Sequence, residues 1–279
     1  MKPSALPLRR VILCADDFAV NASASQGVAE LAAAGRISAT SAMVLSPRWT
    51  QDVALLEPVR GRVDVGLHLD WTSEFAVAQG HGLSLGRAML KATLGGFNLQ
   101  AARAVIDHQL DLFEAHWQAP PDYVDGHQHV HQFAGIREAL VQALQARYGR
   151  HSGQRPYLRV SRAPAEQVDV KARVIAAMGA NALEKIAAHA GLARARGLLG
   201  IYDFTGDQAT YRQAMAQWLA QAATGSIIMC HPAQASETGD DIGPARVWEH
   251  AYLSGADFPQ DLAMARVQLA RGQEALSPR

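Results

Sequence analysis

Cysteine is scarce in this 279-residue chain, since only Cys14 and Cys230 occur and each lies inside a short apolar run. Two such thiols cannot form the disulfide framework of a small secreted domain, and they cannot supply a cysteine-rich metal cluster. Burial in the core of a protein from a reducing compartment is the better interpretation of both side chains.

Long apolar runs are also absent. No window approaches 18 continuous apolar residues, so the sequence predicts no membrane-spanning helix and leaves only peripheral membrane contact open. The N-terminal stretch MKPSALPLRRVILCADD contains an apolar run that is too short for a secretory signal peptide. Together with the cysteine usage, this predicts a cytoplasmic protein.

The chain has no excess charge of either sign, because 26 Lys and Arg residues balance 26 Asp and Glu residues. No Lys/Arg block is long enough to follow a phosphate backbone, so nucleic acid and anionic membrane surfaces are poor candidate partners. A small or neutral substrate fits better. With 49% hydrophobic residues the chain can bury the core of one α/β barrel or of two modest domains, and we favour a single domain over 1–279.

Short apolar runs alternate with longer helix-like segments, which is typical of a mainly parallel sheet covered by helices. The predicted strands are 10–15, 39–45, 62–69, 121–127, 157–160, 198–204 and 225–231. The first helix has Asn21 or Ser23 as its N-cap and Gly35 at its end. Further helices are predicted over 99–117, 134–148, 178–192 and 207–222, followed by one or two helices and a last short strand within 244–272.

Residues 73–98 interrupt this alternation. The segment carries five glycines and shows no clean helical or strand period. A long insertion after a strand more often contacts substrate than builds the scaffold, so we expect an active-site insertion loop here.

Acids, imidazoles and one guanidinium follow the predicted strands. They are Asp16 and Asp17 after the first strand, His68 at the end of the third, Asp125 and His127 at the fourth, Arg159 on the fifth and His231 after the seventh. The carboxyl ends of parallel strands form one rim, where barrels carry their catalytic groups, so we expect these side chains to converge. Carboxylate and imidazoles without a cysteine cluster are the ligands of a hydrolytic Zn²⁺ or related ion with one position open to water.

The stretch DYVDGHQHVHQF places His127, His129 and His131 at every second position, which predicts one edge of a strand. Same-face neighbours on a strand lie roughly 6.6–7 Å apart, so the outer two would be about 13 Å apart, whereas ligand nitrogens lie about 2 Å from Zn²⁺. At most two of the three can bind one ion. The remaining ligands must come from other strands, with Asp17 and His68 as the candidates.

Each of these residues also has an ordinary structural interpretation. The pair Asp16 and Asp17 suits the start of a helix, His68 suits a hydrogen-bonded core position, and Arg159 suits an ion pair with a surface acid. Trp71 suits packing at the rim, although it directly follows a site strand. An ordinary strand gains nothing from three partly desolvated imidazoles, so the histidine run favours function most clearly.

Four ordered motifs, ADDF (15–18), GLHLDWT (66–72), DGHQHVHQF (125–133) and MCHPA (229–233), resemble the YdjC/ChbG family of carbohydrate deacetylases. The segments GIYDFTGDQATYRQAMAQWL and WEHAYLSG are more similar to the hopanoid-biosynthesis-associated, HpnK-like branch than to the chitooligosaccharide branch. The resemblance implies an irregular (β/α) barrel similar to that of polysaccharide deacetylases, one divalent metal ion and a homodimer. Zinc is the preferred ion, with magnesium or another divalent ion as the alternative.

The resemblance also implies residue roles. These are Asp17, His68 and His127 as metal ligands, Asp16 as general base, His231 as general acid and Arg159 as the residue that orients Asp16. Asp125 is expected to hydrogen-bond an imidazole and fix its tautomer, while His129, His131 and Trp71 are expected to support the site or contact substrate. Family members often carry glycine where this chain has Ala19.

These features together predict a hydrolase that removes the N-acetyl group from an N-acetylated amino sugar, in an oligosaccharide or a glycolipid, and releases acetate. Another metal-dependent hydrolase, of phosphoesterase or amidohydrolase type, is the alternative enzyme, because His-x-His on a barrel strand also serves those reactions. The alternative outside enzymes is a catalytically silent carbohydrate-binding protein on the same fold.

Overall fold

The computed structural model describes residues 8–149, 155–162 and 170–277. Within these ranges one sheet of eight parallel strands forms the centre of the molecule. The strands are β1 Arg9–Phe18, β2 Ala39–Ala42, β3 Asp64–Leu69, β4 Tyr123–Gly126, β5 Tyr157–Leu158, β6 Leu198–Leu199, β7 Ile227–Cys230 and β8 Val267–Leu269. Their order is β5-β4-β3-β2-β1-β7-β6, with β8 also paired to β1. The predicted parallel α/β architecture is confirmed, including the short strand near the C-terminus.

Strand β1 organises the sheet because it pairs with three other strands. Residues 9–11 pair with β8, residues 12–15 with β7, and residues 14–18 with β2. Successive side chains of a strand point to opposite faces. Accordingly Val11 and Leu13 join the large apolar core beneath the helices, whereas Ile12 and Cys14 join a smaller one formed mainly by other strands.

The sheet is curled into an irregular barrel. The thiol of Cys14 on β1 lies 2.9 Å from the hydroxyl of Tyr123 on β4, although two strands separate β1 from β4. Neighbouring strands lie about 4.8 Å apart, so side chains three strands apart can touch only if the sheet bends strongly. At the two ends of the sheet, an isolated bridge joins Leu158 on β5 to Arg194, which lies just before β6. The ends of the sheet therefore lie close together, and the barrel is nearly closed.

Helices connect most of the strands and cover the outside of the sheet. They are α1 Ala22–Ala33, α2 Trp49–Asp52, α3 Glu74–Ala78, α4 Leu85–Thr93, α5 Leu99–Trp117, α6 Ile136–Tyr148, α7 Val170–Ala177, α8 Ala180–His189, α9 Gln208–Gln221, α10 Gly243–Ser254, α11 Asp257–Met264 and α12 Gly272–Leu276. Short 3₁₀ helices occupy Val53–Val59 and His127–Gln132. The four interior helices expected from the sequence correspond to α5, α6, α8 and α9 and are confirmed to within a few residues. No helix of the described residues has the length and apolar content to cross a membrane.

Local signals set the ends of α1 as expected. The side chain of Asn21, not that of Ser23, caps the helix by accepting a hydrogen bond from the backbone N–H of Ala24 at 2.8 Å. Gly35 follows the helix with a φ of +68°, a conformation that glycine adopts at little cost.

The sixth predicted strand is much shorter than expected. The strand expected over 198–204 ends at Leu199, because Gly200 has a φ of +92°, outside the β region. The predicted insertion 73–98 contains the two short helices α3 and α4, of 5 and 9 residues. Helices this short show too few turns for a helical period to emerge from the sequence.

Candidate active site

The carboxyl ends of the strands open into a cavity of about 1130 Å³. Predicted site residues that line it are Asp16, Asp17, His68, His127, His129, Arg159 and His231. Its walls include residues of α3 and α4, of α7 and of the 237–242 segment before α10. The fold therefore brings together predicted site residues that are as much as 215 positions apart in the sequence, from Asp16 to His231.

Two consecutive acids, Asp16 and Asp17, both line the cavity, although neighbouring residues of a regular strand point to opposite faces. The cause is an irregularity in β1. Its register against β2 shifts between Ala15 and Phe18, and Asp17 has a φ of +64°. Aspartate tolerates this left-handed conformation better than most residues, yet it still costs energy. Strain of this kind concentrates at functional sites, and here it turns a second carboxylate into the cavity.

Asp17, His68 and His127 form a cluster whose potential ligand atoms all lie within 4.8 Å of one another. Oδ1 of Asp17 lies 3.0 Å from Nδ1 of His127 and 3.3 Å from Nε2 of His68. The two imidazole centroids are 5.6 Å apart, and the rings are inclined by 70°. One carboxylate and two imidazoles that converge in this way could hold a divalent ion and leave a position for water.

The other ring nitrogen of His68, Nδ1, is held by contacts on the side away from Asp17. Nδ1 lies 2.6 Å from Oδ1 of Asp125 and 3.0 Å from Oγ of Ser41. Burial lowers the pKa of His68, but Asp125 and then Asp17 raise it more, so that the pKa reaches about 10. The ring is then protonated on both nitrogens, and the proton on Nε2 faces Asp17. A bound cation would replace that proton, which is the usual coupling between metal binding and proton release.

The histidine run does not form a strand edge, and that prediction is wrong. β4 ends at Gly126, and the 3₁₀ segment His127–Gln132 follows, in which Gln128 and His129 have φ values of +50° and +63°. An alternating pattern resembles a strand, but it carries no information about left-handed backbone at two polar positions.

As a result, the three histidines have different neighbours. His127 belongs to the cluster described above. His129 lines the cavity, and its Nδ1 lies 3.0 Å from Oγ of Ser161. His131 is fully buried, and its Nε2 lies 2.8 Å from the backbone oxygen of Arg159. His131 therefore supports the backbone of Arg159 and does not line the cavity.

Arg159 joins two buried acids. Its Nη1 lies 2.7 and 2.8 Å from the two oxygens of Asp16 and 3.0 Å from Oδ2 of Asp125. Burial alone would raise the pKa of Asp16, but Arg159, followed by His68, holds that pKa well below its usual range. A second group of potential ligands consists of Cys14, Asp16 and Asp125. The guanidinium of Arg159 already supplies a cation there.

His231 follows β7, and its Nε2 lies 4.0 Å from Oδ2 of Asp16. Its ring packs edge-on against Phe204, with centroids 5.2 Å apart. Burial lowers the pKa of His231 to about 4, against the opposing effect of Asp17 and then Asp16. The imidazole is therefore neutral near pH 7.

Helix α10 contributes two buried charged residues that the sequence did not single out. Arg246 donates from Nη2 to Oδ2 of Asp17 at 2.8 Å. Glu249 accepts hydrogen bonds from the backbone N–H of His231 and from the hydroxyl of Tyr202, and burial raises the pKa of Glu249 to about 7. The one available signal was their spacing of three residues, which places them on the same face of a helix. Charged residues at that spacing usually face solvent, so the signal is weak.

Trp71 lies outside the cavity. It is only 2% exposed, and its ring packs edge-on against His81 and Phe97. It borders a smaller pocket of about 290 Å³ instead. The environment of Trp71 is therefore packing against neighbouring aromatic rings.

The fold and the cluster together define an α/β barrel with a candidate metal centre at its carboxyl rim. The chain belongs to the family described as YdjC-like protein, whose family model matches residues 10–264. The family assignment from the sequence motifs is thus confirmed.

Two carbohydrate deacetylases are similar in sequence. The mouse (Mus musculus) protein is 29% identical over 175 residues, which are 58% of this chain and 53% of the relative. The human (Homo sapiens) protein is 28% identical over 155 residues, which are 51% and 47%. The match spans about half the length of both relatives.

Solved structures support the fold. A candidate cellobiose-phosphate cleavage protein from Enterococcus faecalis V583 superposes with a TM-score of 0.71 at 18% identity, and the alignment covers 97% of this chain and 100% of that protein. The Xyl-CE4 domain of a multidomain xylanase from the hindgut metagenome of Trinervitermes trinervoides superposes with a TM-score of 0.51 at 9% identity, covering 96% and 89%. At these identities the similarity concerns the fold alone.

Proposed function

We propose that this protein is a metal-dependent hydrolase that removes the N-acetyl group from an N-acetylated amino sugar and releases acetate. The observation that carries the proposal is the contact of Asp17 Oδ1 with both His127 and His68, directly beside Asp16. The names of the mouse and human relatives, both carbohydrate deacetylases, support the same reaction.

Asp17, His68 and His127 would hold the metal ion. Their donor set fits zinc better than magnesium, because Mg²⁺ prefers oxygen ligands whereas two of these three donors are imidazole nitrogens. The hydrogen bond between Asp125 and Nδ1 of His68 leaves Nε2 as the ligand atom, as is usual for metal-binding histidines. A bound divalent ion would polarise the acetyl carbonyl and lower the pKa of water.

Asp16 would take the proton from the attacking water. Arg159 contacts both oxygens of Asp16 and keeps the carboxylate ionised at neutral pH, so that Asp16 carries no proton before the reaction and can accept one. The same contact fixes the direction of the carboxylate, which a general base requires. The water and the amide must approach Asp16 from a direction that Arg159 does not occupy.

His231 would deliver the proton that the leaving amine needs. Its pKa of about 4 means that the ring must first receive a proton before it can donate one. Oδ2 of Asp16 lies 4.0 Å from Nε2 of His231 and is the group from which that proton would come. The two residues would thus pass one proton from water to the amine nitrogen.

The cavity favours an amino sugar with an attached group. Its volume of about 1130 Å³ exceeds the range of roughly 300–1,000 Å³ typical of sites for drug-sized ligands. Apolar side chains form much of its wall, and these include Phe75, Leu85, Met89, Phe133, Val174, Ile175, Met178, Ile201 and Phe204. A glycolipid would bury its apolar part against this wall more favourably than a bare oligosaccharide would. This supports the HpnK-like assignment within the family.

The alternative metal-dependent hydrolases fit less well. Two-metal phosphoesterases and amidohydrolases need a second cation beside the first. In the described part of the chain the second group of potential ligands consists of Cys14, Asp16 and Asp125. The guanidinium of Arg159 already contacts both of its acids, so it occupies the place of a second cation. A silent carbohydrate-binding protein has no need for the buried ion pair of Asp16 and Arg159 at the cavity surface, because taking both charges out of water has a desolvation cost that sugar binding alone does not require.

The deciding experiment measures acetate release from N-acetylglucosamine oligomers and from N-acetylglucosaminyl lipids, together with the metal content of the same preparations. We expect acetate release by the zinc-loaded protein, loss on treatment with a chelator and recovery with Zn²⁺. Asp17→Ala and His127→Ala should each lose the bound metal. Stoichiometric metal and normal activity in His127→Ala would contradict the ligand assignment, and no acetate release from any N-acetylated substrate would favour the binding protein.

A further inference from the structure

Arg246 occupies a position that is unfavourable for a cation. It lies in the first turn of α10 and is only 3% exposed. The N-terminal end of a helix carries partial positive charge, which repels a guanidinium, and burial of an ion costs several kcal/mol. An apolar residue of similar size would serve the stability of this turn at least as well. The presence of an arginine therefore requires another explanation.

The guanidinium of Arg246 links three parts of the cavity. Nη2 donates to Oδ2 of Asp17 at 2.8 Å, and Nε donates to Oδ2 of Asp240 at 2.8 Å. Nη1 lies 3.4 Å from the backbone oxygen of His231. A planar guanidinium can make these contacts in fixed directions because its N–H groups diverge from a rigid fork.

The two oxygens of Asp17 consequently have different partners. Oδ2 is taken by Arg246, and Oδ1 alone faces the imidazoles of His68 and His127. We propose that Arg246 is a positioning residue that restricts Asp17 to binding the metal ion through Oδ1 only. This inference rests on the proposed metal site and adds the residue that sets its geometry.

Asp240 explains how a cation can lie behind a metal ligand without repelling the metal. Its carboxylate contacts Nε of Arg246, so that the pair carries no net charge toward the cavity. Asp240 is itself held by the side chain amide of Asn21 at 3.3 Å, which ties the 237–242 segment to the start of α1. Arg246 can therefore direct Asp17 by hydrogen bonding while its charge is compensated.

The test is a titration of the metal-free protein with Zn²⁺ by calorimetry in competition with a chelator, in the wild type, Arg246→Met and Arg246→Lys. We expect a Kd about 10–100-fold weaker in Arg246→Met, the usual loss when a partner of a metal ligand is removed. The Kd of Arg246→Lys should lie between those of the wild type and Arg246→Met, because an ammonium keeps the positive charge but lacks the diverging N–H groups of a guanidinium. Arg212→Met is the matched control, since Arg212 also joins two acids, Asp257 and Asp261, but none of these three residues lines the cavity. Its Kd should equal that of the wild type.

A spectroscopic measurement separates positioning from mere support of the fold. Once Oδ2 of Asp17 is released, the carboxylate can bind through both oxygens and raise the coordination number. The visible absorption of the Co²⁺-loaded Arg246→Met protein should then be weaker than that of the wild type and of Arg212→Met. A change in melting temperature alone would not alter this spectrum.

A folded Arg246→Met protein with the wild-type Kd and Co²⁺ spectrum would overturn the positioning role and leave the metal site intact. If Arg246→Met does not fold, Arg246→Lys decides in the same way. Wild-type protein that fails to bind one Zn²⁺, or Asp17→Ala protein that binds it normally, would instead remove the proposed site and this inference with it.

Discussion

A single guanidinium nitrogen of Arg159, Nη1, lies within 2.8 Å of both carboxylate oxygens of Asp16. Both residues are buried, and Arg159 also contacts Asp125, which in turn contacts His68. The candidate base and a candidate metal ligand are therefore supported by the same buried network. Such a network fixes the directions of its members because every alternative arrangement would leave a buried charge unpaired.

Asp16→Asn should retain the metal ion and lose turnover. The amide keeps the size of the side chain but cannot accept the proton of water, and loss of a general base typically costs 10²–10⁴-fold in rate. Acetate release and metal content of the same sample measure the two effects, with Asp17→Ala as the variant that should lose metal. Turnover near that of the wild type in Asp16→Asn would show that another group takes the proton.

His231→Asn should affect amide and ester substrates differently. Amine expulsion needs a proton, whereas an activated aryl alcohol leaves without one. We therefore expect a decrease of at least about 100-fold for an N-acetylated sugar and of less than about tenfold for an aryl acetate. The comparison is internal to one variant, so a general loss of folding would lower both rates. Equal losses for both substrates would contradict the role of His231 as proton donor.

Phe75→Ala should raise KM for substrates with an apolar group. Phe75 lines the cavity on α3, and partial burial of a lipid against it is worth about 1.4 kcal/mol, or tenfold in affinity. N-Acetylglucosamine oligomers should be affected less than twofold. Val77→Ala is the matched control, because Val77 lies on the same helix, is 59% exposed and does not line the cavity. The same KM change for both substrate types would argue against an apolar subsite.

Ala19→Gly should leave the protein at least as stable as the wild type. Ala19 has a φ of +72°, which costs an L-residue about 1–2 kcal/mol and costs glycine almost nothing. The gain is offset in part by the lost methyl burial and by the greater freedom of glycine in the unfolded chain. Ala32→Gly is the control, because Ala32 is equally buried but lies inside α1, where glycine destabilises by about 1 kcal/mol. Denaturant unfolding should show Ala19→Gly as the more stable by about 2 kcal/mol, and the reverse order would refute the argument.

Asp122 should make the stability of the protein pH-dependent. Burial and then Asp64 raise its pKa to about 6 in the folded protein, whereas the unfolded value is about 3.9. Between these values the folded state binds more protons, so the unfolding free energy increases as pH falls from about 6 to 4. Relative to Asp122→Asn, the unfolding free energy of the wild type should increase by on the order of 2 kcal/mol as pH falls through this window. Denaturant unfolding at pH 4, 5, 6 and 7 measures the difference, and a constant difference would contradict the raised pKa.

Much of the site was accessible from the sequence because position in a strand carries chemical information. An apolar run that ends in Asp16 and Asp17, in His68 or in His231 marks the end of a buried parallel strand, and such ends meet at one rim. Helices with several full turns were equally predictable, as the agreement of α5 with 99–117 shows. In both cases the signal lies within a few consecutive residues.

The histidine run shows where the local signal failed. His127, His129 and His131 have the spacing of a strand, yet Gln128 and His129 adopt left-handed backbone and send the three rings to different neighbours. Such φ values are stabilised by contacts distant in sequence, such as that of His129 with Ser161. A pattern confined to neighbouring residues contains no trace of these contacts.

The sequence by itself determined the class of fold, the family and the identity of the chemical groups, because periodicity, strand-end composition and ordered motifs are local properties. The tertiary structure alone decided which groups act together. Arg246 meets Asp17 across 229 positions, and Glu249 meets the backbone of His231 across 18. Packing of α10 against the strand ends creates these pairs, and their strength comes from burial, which exists only once the chain has folded.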